Sequence, residues 1–251
     1  MTVTLIGSGN LATNLGHALK DAGVEILQIY SHTLTNAKRL ADELGVEAFC
    51  QQIGEINTES DVYIVAVKDD VLTGVMDETL CHLPDRLIVH TAGSMPMMGS
   101  GVFYPMQTFS RQRIVSFAHI PIFLETRRKE DMLTLRRLAE RLTDSVYELS
   151  SDDRRWLHIA AVFSCNFANH MATLASHLLE AHGIPFRVML PLMDETIAKL
   201  HQLSPHEAQT GPARRGDQGV MERHVRLLQE DGREDLAELY KTISQSIQDN
   251  D

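Results

Sequence analysis

The sequence predicts an α/β protein: a Rossmann-like, doubly wound parallel sheet at the N-terminus, followed by an all-helical C-terminal domain. A glycine-rich turn joins the first apolar strand to the first helix pattern, and strand-like runs then alternate with helical patterns up to residue 149. Beyond residue 150 apolar residues recur at helical spacing and no strand-like run follows. We therefore predict a dinucleotide-binding domain at residues 1–150 and a helical substrate and dimerisation domain at residues 151–251.

The first strand ends in a dinucleotide-binding fingerprint. An apolar, β-branched run at residues 3–6 stops at Gly7, and a helix pattern starts near Asn10. The six residues from Gly7 to Ala12 have the G-x-G-x-x-A pattern, in which the first glycine permits a sharp turn and Gly9 leaves room for a pyrophosphate. The N–H groups at the start of the helix then face the phosphates. The predicted pyrophosphate-binding residues are Gly7, Ser8, Gly9, Asn10 and Leu11.

The end of the second strand favours NADP over NAD. The strand-like run at residues 24–30 ends in Ser31 and His32, where a fold of this class binds the adenosine ribose. An Asp or Glu there would select NAD, but this chain has neither, and Lys38 and Arg39 follow. We therefore predict that Ser31 and His32 contact the 2′-phosphate of NADP. Ser31 could also cap the next helix, and the two roles are compatible.

Further predicted cofactor residues lie at the ends of the next two strands, residues 61–67 and 87–90. Ligands of a doubly wound sheet bind at the carboxyl ends of its strands, so the small residues there are predicted to lie beside the cofactor. They are Ala66, Val67 and Lys68 after the first of these strands and Thr91, Ala92 and Gly93 after the second. The last strands are predicted at residues 120–125 and 145–149, and residues 95–113, rich in Gly, Ser, Pro and Met, are assigned to no strand.

The helical half contains a long uncharged segment. From Leu157 to Leu179 there is no Asp, Glu, Lys or Arg. A helix that is uncharged on every side is usually buried on every side, so we predict a central helix packed within the second domain or against a second subunit. Its polar flank, which includes Asn166 and His170, then needs partners. Substrate and cofactor are one set of partners, and an internal hydrogen-bond network is the other.

Composition argues against several classes of function. The chain has 23 basic and 34 acidic residues, a net charge of −11, which argues against nucleic acid and anionic membranes as partners. Its three cysteines have no metal-ligand spacing, so we predict no metal site and reduced thiols in the cytoplasm. We predict neither a signal peptide nor a membrane span, because the first strand starts at residue 2 or 3 and no long apolar run follows.

Five motifs spread over nearly the whole chain resemble those of a known family. They are residues 7–12, His90-Thr91-Ala92-Gly93-Ser94, Tyr104-Pro105-Met106-Gln107-Thr108-Phe109, His158-x-Ala160-Ala161-x-x-x-x-Asn166 and Thr210-Gly211-Pro212-x-x-Arg215-Gly216-Asp217. The family is bacterial and combines a Rossmann-like domain with a helical domain of unassigned function. The resemblance implies an NADP oxidoreductase, in some members deazaflavin-dependent by analogy. Many members carry His where this chain has Tyr104.

More distantly, the layout is similar to pyrroline-5-carboxylate reductase and the 3-hydroxyacid dehydrogenases. In those proteins a helical second domain closes the site and mediates dimerisation, which implies a homodimer through the helical domain here. The lysine that 3-hydroxyacid dehydrogenases use on their central helix is missing from residues 157–179, and Asn166 is the nearest equivalent. Residues 210–212 fall about where the reductase has its Ser/Thr-rich substrate loop, but they do not have that motif.

These observations predict an NADP-dependent oxidoreductase that transfers hydride between the nicotinamide and a small carbonyl or imine. Asn166 would position the polar group of the substrate. His170 is the first candidate for the acid that protonates the product, because histidine titrates near neutral pH, and Tyr104 is the second. The alternative is a dinucleotide-binding sensor or scaffold without turnover, which the missing lysine favours. Dependence on a deazaflavin is a third hypothesis.

Overall fold

A sheet of eight strands organises the N-terminal part of the computed structural model, which describes residues 1–250. The strands are β1 (Thr2–Ile6), β2 (Glu25–Tyr30), β3 (Phe49–Cys50), β4 (Val62–Val65), β5 (Ile88–His90), β6 (Gly101–Pro105), β7 (Ile122–Thr126) and β8 (Val146–Glu148). The α-helices are α1 (Asn10–Asp21), α2 (Leu34–Leu44), α3 (Asp69–His82), α4 (Lys129–Ala139), α5 (Ser151–Ala161), α6 (Ala168–Ala181), α7 (Leu190–Lys199), α8 (Pro205–Ala208), α9 (Gln218–Glu230) and α10 (Glu234–Asp249). Short 3₁₀ turns lie at Ile53–Glu55 and Phe186–Met189, and a π-helix spans Val162–Phe167.

The sheet has the topology of a doubly wound fold. Its strand order is β3-β2-β1-β4-β5-β6-β7-β8. Strand β1 pairs in parallel with both β2 and β4, so the order reverses at β1 and leaves a crevice at the carboxyl ends of these strands. The predicted fold class is confirmed. One correction applies: β6 and β7 are antiparallel, so the sheet is mostly rather than wholly parallel.

Strand β6 lies in a segment that the sequence pattern assigned to no strand. All five of its residues are buried, and Gly101 faces Thr126 of β7. A Cβ at Gly101 would lie 2.2 Å from the carbonyl oxygen of Glu125, so the close approach of the two strands requires glycine there. Glycine and proline at the ends of this strand conceal its short apolar run in the sequence. Strand β3, which has two residues, is too short to leave a pattern.

Apolar side chains cover both faces of the sheet. Leu5 of β1 is buried in one cluster with Leu15 of α1 and Leu40 of α2. The next residue, Ile6, is buried in a second cluster with Leu72 of α3. Successive side chains of a strand point to opposite faces, so a strand covered on both sides needs the continuous apolar run that β1 has. Because β1 also pairs with a strand on either side, its end lies inside the sheet between β2 and β4.

By its internal contacts the chain divides into two compact units, the first spanning Met1–Asn169 and the second beginning at His170. Strand β8 ends at Glu148 and α5 begins at Ser151, so the change to helical structure falls where the sequence indicated. The domain boundary at residue 150 stays a prediction, because α5 belongs to the first compact unit.

The uncharged segment is not buried as predicted. Helix α5 ends at Ala161, the π-helix Val162–Phe167 follows, and α6 comes next. None of residues 157–179 is buried within the single chain, and Phe163 is 67% exposed. The predicted burial is therefore wrong for the isolated chain, because no other part of the chain covers these side chains completely. No helix in the described part of the chain is both long and apolar enough to cross a membrane.

Candidate functional site at the carboxyl edge of the sheet

The fingerprint turn leaves an open space at the start of α1. Gly7 has a φ of +130°, and its N–H donates to the carbonyl oxygen of Tyr30 at 2.8 Å. A Cβ at Gly7 would lie 2.2 Å from the carbonyl oxygen of Ala66, so only glycine fits between β1 and β4. A Cβ at Gly9, by contrast, would meet no atom within 4 Å. The residues present therefore fit a pyrophosphate beside the first N–H groups of α1.

Replacing Gly9 with valine is expected to abolish NADP⁺ binding and to leave the fold intact. The added side chain would enter the open space beside the start of α1, where the phosphates are predicted to bind. Calorimetric titration measures binding, and thermal unfolding monitors the fold. Gly54→Val is a matched control, because the Cβ position of Gly54 is equally open and lies in the 3₁₀ turn before β4. Unchanged NADP⁺ affinity in Gly9→Val would refute the pyrophosphate placement.

A buried hydrogen bond joins the fingerprint turn to the end of β2. In this bond Ser8 Oγ donates to Ser31 Oγ at 2.9 Å, and His32 beside it is exposed. Helix α2 begins at Leu34, and its N-cap is Thr33, with no side-chain capping bond. The alternative role of Ser31 as a helix cap is therefore wrong, because the helix starts too late for it. Contact of Ser31 and His32 with a 2′-phosphate stays a prediction.

The predicted cofactor residues after β4 and β5 lie side by side at one edge of the sheet. The N–H of Ala66 donates to the carbonyl oxygen of Ile6 at 2.8 Å, and that of Thr91 donates to Val65 at 3.1 Å. These bonds hold the ends of three neighbouring strands in line. Ala66, Thr91, Ala92 and Gly93 are buried, Val67 is half-buried and Lys68 is the exposed N-cap of α3. Their contact with the cofactor stays a prediction.

Tyr104 and His158 meet at Gly93. The hydroxyl of Tyr104 lies 3.3 Å from Nδ1 of His158, within hydrogen-bond distance. A Cβ at Gly93 would lie 2.7 Å from that nitrogen and 2.7 Å from Cζ of Tyr104, so the pair closes tightly on the glycine. Burial raises the pKa of Tyr104 above its ordinary value of 10.0, while the nearby Arg154 guanidinium opposes this more weakly. The phenol therefore stays protonated at neutral pH and is available as a hydrogen-bond or proton donor.

His158 was not among the site residues predicted from sequence, although one of the family motifs contains it. Helix α5 has a defined start, because the hydroxyl of Ser150 accepts a hydrogen bond from the N–H of Asp153 at 3.2 Å. Two turns later the helix presents His158 to Tyr104 of β6. The two residues are 54 positions apart, so no local pattern relates them.

A fully buried arginine ties α5 to the sheet one turn before His158. Arg154 is 0% exposed and donates to a carboxylate oxygen of Glu125 at 2.5 Å and to the carbonyl oxygen of Met95 at 2.6 Å. Ser151 donates to the same Glu125 oxygen at 2.7 Å. Burial alone would raise the pKa of Glu125, but the hydrogen bonds from Ser151 and Arg154 outweigh it and lower the pKa. This network positions the face of α5 that carries His158.

His90, the last residue of β5, is buried and uncharged. Burial, followed by the Arg154 guanidinium, lowers the pKa of His90 to about 4. Its Nδ1 accepts from the N–H of Ala92 at 3.2 Å, so Nε2 carries the proton and donates to the carbonyl oxygen of Pro96 at 3.0 Å. His90 therefore shapes the turn that contains Gly93 and does not itself supply protons.

The two principal catalytic candidates from the sequence, Asn166 and His170, make none of the contacts described above. Asn166 is exposed in the π-helix Val162–Phe167, and His170 is exposed at the start of the second compact unit. Their roles stay predictions. Within residues 1–250 no group of three or more His, Cys, Asp or Glu side chains could hold a metal ion.

Comparison with known families identifies the relationship. Residues 120–247, just over half of the chain, match the model of a domain of unknown function, DUF2520. The chain belongs to the DUF2520 family. Residues 2–93 also match a family described as "NADP oxidoreductase coenzyme F420-dependent". No curated protein matches the chain.

Solved structures agree with this assignment. A Bacteroides fragilis protein described as a "putative NADP oxidoreductase" is 44% identical, with a TM-score of 0.92 over 99% of this chain and 98% of that one. A Thermotoga maritima protein is 22% identical, with a TM-score of 0.72 over 98% of this chain and 97% of that one. An imine reductase from Myxococcus stipitatus in complex with NADP⁺ is 17% identical, with a TM-score of 0.69 over 98% and 93% of the two chains, and this similarity shows the fold alone. The predicted class of this DUF2520-family protein, an NADP oxidoreductase, is confirmed, and so is the predicted cofactor.

Proposed function

We propose that this DUF2520-family protein reduces a small imine or carbonyl compound with NADPH. The observation that carries the proposal is the Tyr104–His158 pair, which meets Gly93 at the end of β5, on the edge of the sheet predicted to bind the cofactor. Bound NADPH supplies the hydride in such a reaction. The structural similarity to imine reductases supports an imine as the first substrate class to test.

In this proposal Tyr104 is the proton donor. When the substrate carbon gains hydride, its nitrogen or oxygen gains a proton from the Tyr104 hydroxyl, giving an amine or an alcohol. His158, which lies 3.3 Å from that hydroxyl, returns a proton to the phenolate. Asn166 remains the proposed residue for orienting the substrate. His170 remains the competing candidate for the acid, and substitution of each residue separates the two assignments.

The test is NADPH oxidation followed at the nicotinamide absorbance with a panel of cyclic imines and small ketones. Calorimetric titration with NADP⁺, NADPH, NAD⁺ and NADH comes first. Tight binding of the NADP forms together with oxidation by one substrate class supports the proposal. Binding without oxidation by any compound would favour the sensor or scaffold hypothesis. A parallel assay with a deazaflavin tests the dependence named in the family description.

We also propose that the protein is a homodimer formed through its helical half. In the second unit the apolar side chains buried among the described residues are Ala213, Met221 and Ala237. Val188, Leu192, Ile197 and Leu227 are each more than half exposed. So small a core supports association with another surface, and a second copy of this chain is the proposed partner. Three exposed aromatic residues in or next to the uncharged segment, Trp156, Phe163 and Phe167, are also proposed to pack against the second copy.

Replacing Phe163 with aspartate is expected to weaken dimerisation by about 2 kcal/mol or more, because aromatic residues dominate well-packed interfaces. Sedimentation velocity over a range of concentrations measures the monomer–dimer equilibrium. Leu133→Asp is the matched control, since Leu133 is 57% exposed on α4, outside the helical half. A monomer at all concentrations for the unaltered protein would refute the dimer.

A cytoplasmic location remains part of the proposal. All three cysteines, Cys50, Cys81 and Cys165, are free thiols. Unpaired exposed cysteines are typical of a reducing compartment, which supports this location. Cell fractionation with an antibody to the protein tests it directly.

A further inference from the structure

Two arginines from distant parts of the chain converge on the fingerprint turn. Nη2 of Arg39, on α2, donates to the carbonyl oxygen of Ser8 at 3.3 Å. Nη2 of Arg111, which follows β6, donates to the same oxygen at 2.8 Å. The two residues are 31 and 103 positions from Ser8, so folding alone brings them together. One neutral oxygen thus accepts hydrogen bonds from two cations.

The positive charge at this point is only partly compensated. Nη1 of Arg39 pairs with Glu43 at 2.6 Å, but the other oxygen of Glu43 contacts His17 at 2.8 Å. Nε of Arg39 is buried and has no hydrogen-bond partner in the described structure. Two like charges held beside one neutral acceptor repel each other, and an anion bound between them would relieve that repulsion. In a chain with a net charge of −11, a positive cluster of this kind indicates an anionic ligand.

Arg111 is held in place by a segment that we call the strap, residues 109–115. Asn10 Nδ2 donates to the carbonyl oxygen of Phe109 at 3.2 Å, which attaches the strap to the first turn of α1. The fully buried Asn14 donates to the carbonyl oxygen of Ser110 at 2.9 Å and accepts from the N–H of Val115 at 3.0 Å. The strap is therefore fixed to α1 by hydrogen bonds, and these bonds direct the Arg111 guanidinium at the fingerprint turn.

Resting on the proposed function, we propose that Arg39 and Arg111 form a clamp for the 2′-phosphate of NADP. The clamp lies next to Ser31, because Ser8, whose carbonyl oxygen both arginines contact, is hydrogen-bonded to Ser31 at the end of β2. The adenosine ribose of a dinucleotide binds at this end of β2 in a doubly wound fold. Guanidinium groups match phosphate oxygens with paired N–H donors, and two of them can hold a phosphate monoester from two sides. The clamp explains selectivity for NADP with a residue, Arg111, that no local sequence pattern indicates.

The test is calorimetric titration of the full chain with NADP⁺ and with NAD⁺. Arg39→Met and Arg111→Met are each expected to weaken NADP⁺ binding by about tenfold to a hundredfold, the usual effect of losing a charge-assisted hydrogen bond. NAD⁺ binding should not change, because NAD⁺ lacks the 2′-phosphate. Arg127→Met is the matched control: Arg127 is exposed and follows Thr126, which lies beside Gly101 at the opposite edge of the sheet. Arg111→Lys keeps the charge but lacks the paired N–H donors of a guanidinium group, so it should show an intermediate loss of NADP⁺ affinity.

The outcomes separate the clamp from the proposed function. Equal weakening of NADP⁺ and NAD⁺ by Arg111→Met would overturn the clamp and assign Arg111 to the shared pyrophosphate. Unchanged NADP⁺ binding in both arginine variants would overturn it as well, while leaving the oxidoreductase proposal intact. Failure of the unaltered protein to bind either dinucleotide would overturn both. If Arg39→Met unfolds at a lower temperature, Arg39→Lys replaces it in the comparison, with a smaller expected loss of NADP⁺ affinity because the charge is retained.

Discussion

Tyr104→Phe is expected to lower kcat for NADPH-dependent reduction by about 100- to 10,000-fold, the range that general acid catalysis contributes. The substitution removes only the hydroxyl that lies 3.3 Å from His158 Nδ1 and keeps the buried ring. Affinity for NADP⁺ should not change, since the ring still packs under Gly93. Steady-state kinetics with the best imine or ketone measure kcat, and calorimetry measures the affinity.

Tyr147→Phe is the matched control for this experiment. Tyr147 is 51% exposed on β8, and phenylalanine keeps the ring that stacks on Phe123. His158→Asn should also lower kcat, and by less, if His158 only returns the proton. Burial raises the pKa of Tyr104 above its ordinary value, so its proton-donating activity should persist to a higher pH than an ordinary tyrosine would allow. A normal kcat in Tyr104→Phe, together with a large loss in His170→Asn, would assign the acid to His170 instead.

Arg154→Met is expected to lower the free energy of unfolding by about 3 to 5 kcal/mol, the usual cost of breaking a buried ion pair. Arg154 is 0% exposed, and its partner Glu125 would be left without its cation in a largely buried position. Methionine fills a similar volume, so the loss of the charge and hydrogen bonds outweighs any loss of packing. Denaturant unfolding at neutral pH measures the change.

A second ion pair and a double variant test whether the cost of Arg154→Met comes from the unpaired charge that it leaves buried. Arg136 and Glu148 also lie 2.5 Å apart, but Arg136 is only half-buried and Glu148 is exposed, so Arg136→Met should cost about 1 kcal/mol or less. Glu125→Gln combined with Arg154→Met should be more stable than Arg154→Met alone, because no unpaired carboxylate remains. A double variant less stable than the single one would contradict this account.

The same ion pair predicts a dependence on pH. The folded-state pKa of Glu125 lies below its ordinary value, so its pairing stabilises the fold above the unfolded-state pKa. That contribution is lost as the pH falls through the lowered folded-state pKa. The difference in unfolding free energy between the unaltered protein and Arg154→Met should therefore shrink as the solution becomes more acidic.

Much of the first unit could be predicted from the sequence because its signals are local. The turn at Gly7 and Gly9 lies between a strand and a helix that are adjacent in the chain, and β-branched runs mark β1, β2 and β4. Strand β6 was not predicted, because its pairing with β7 depends on a close approach of the two strands at Gly101. The exposure of residues 157–179 was also not predictable, since absence of charge indicates shielding from water without indicating which molecule supplies it.

The sequence by itself determined the class of fold and the position of the nucleotide fingerprint, and the lack of a carboxylate after β2 predicted NADP as the cofactor. Only the tertiary structure brought His158 to Tyr104, Arg154 to Glu125 and Arg111 to Ser8, contacts that join residues 54, 29 and 103 positions apart. The physical reason is that a periodic pattern records which face of an element is buried. Pairs of polar side chains from different elements meet only when the sheet and its helices have packed, so their distances are a property of the fold.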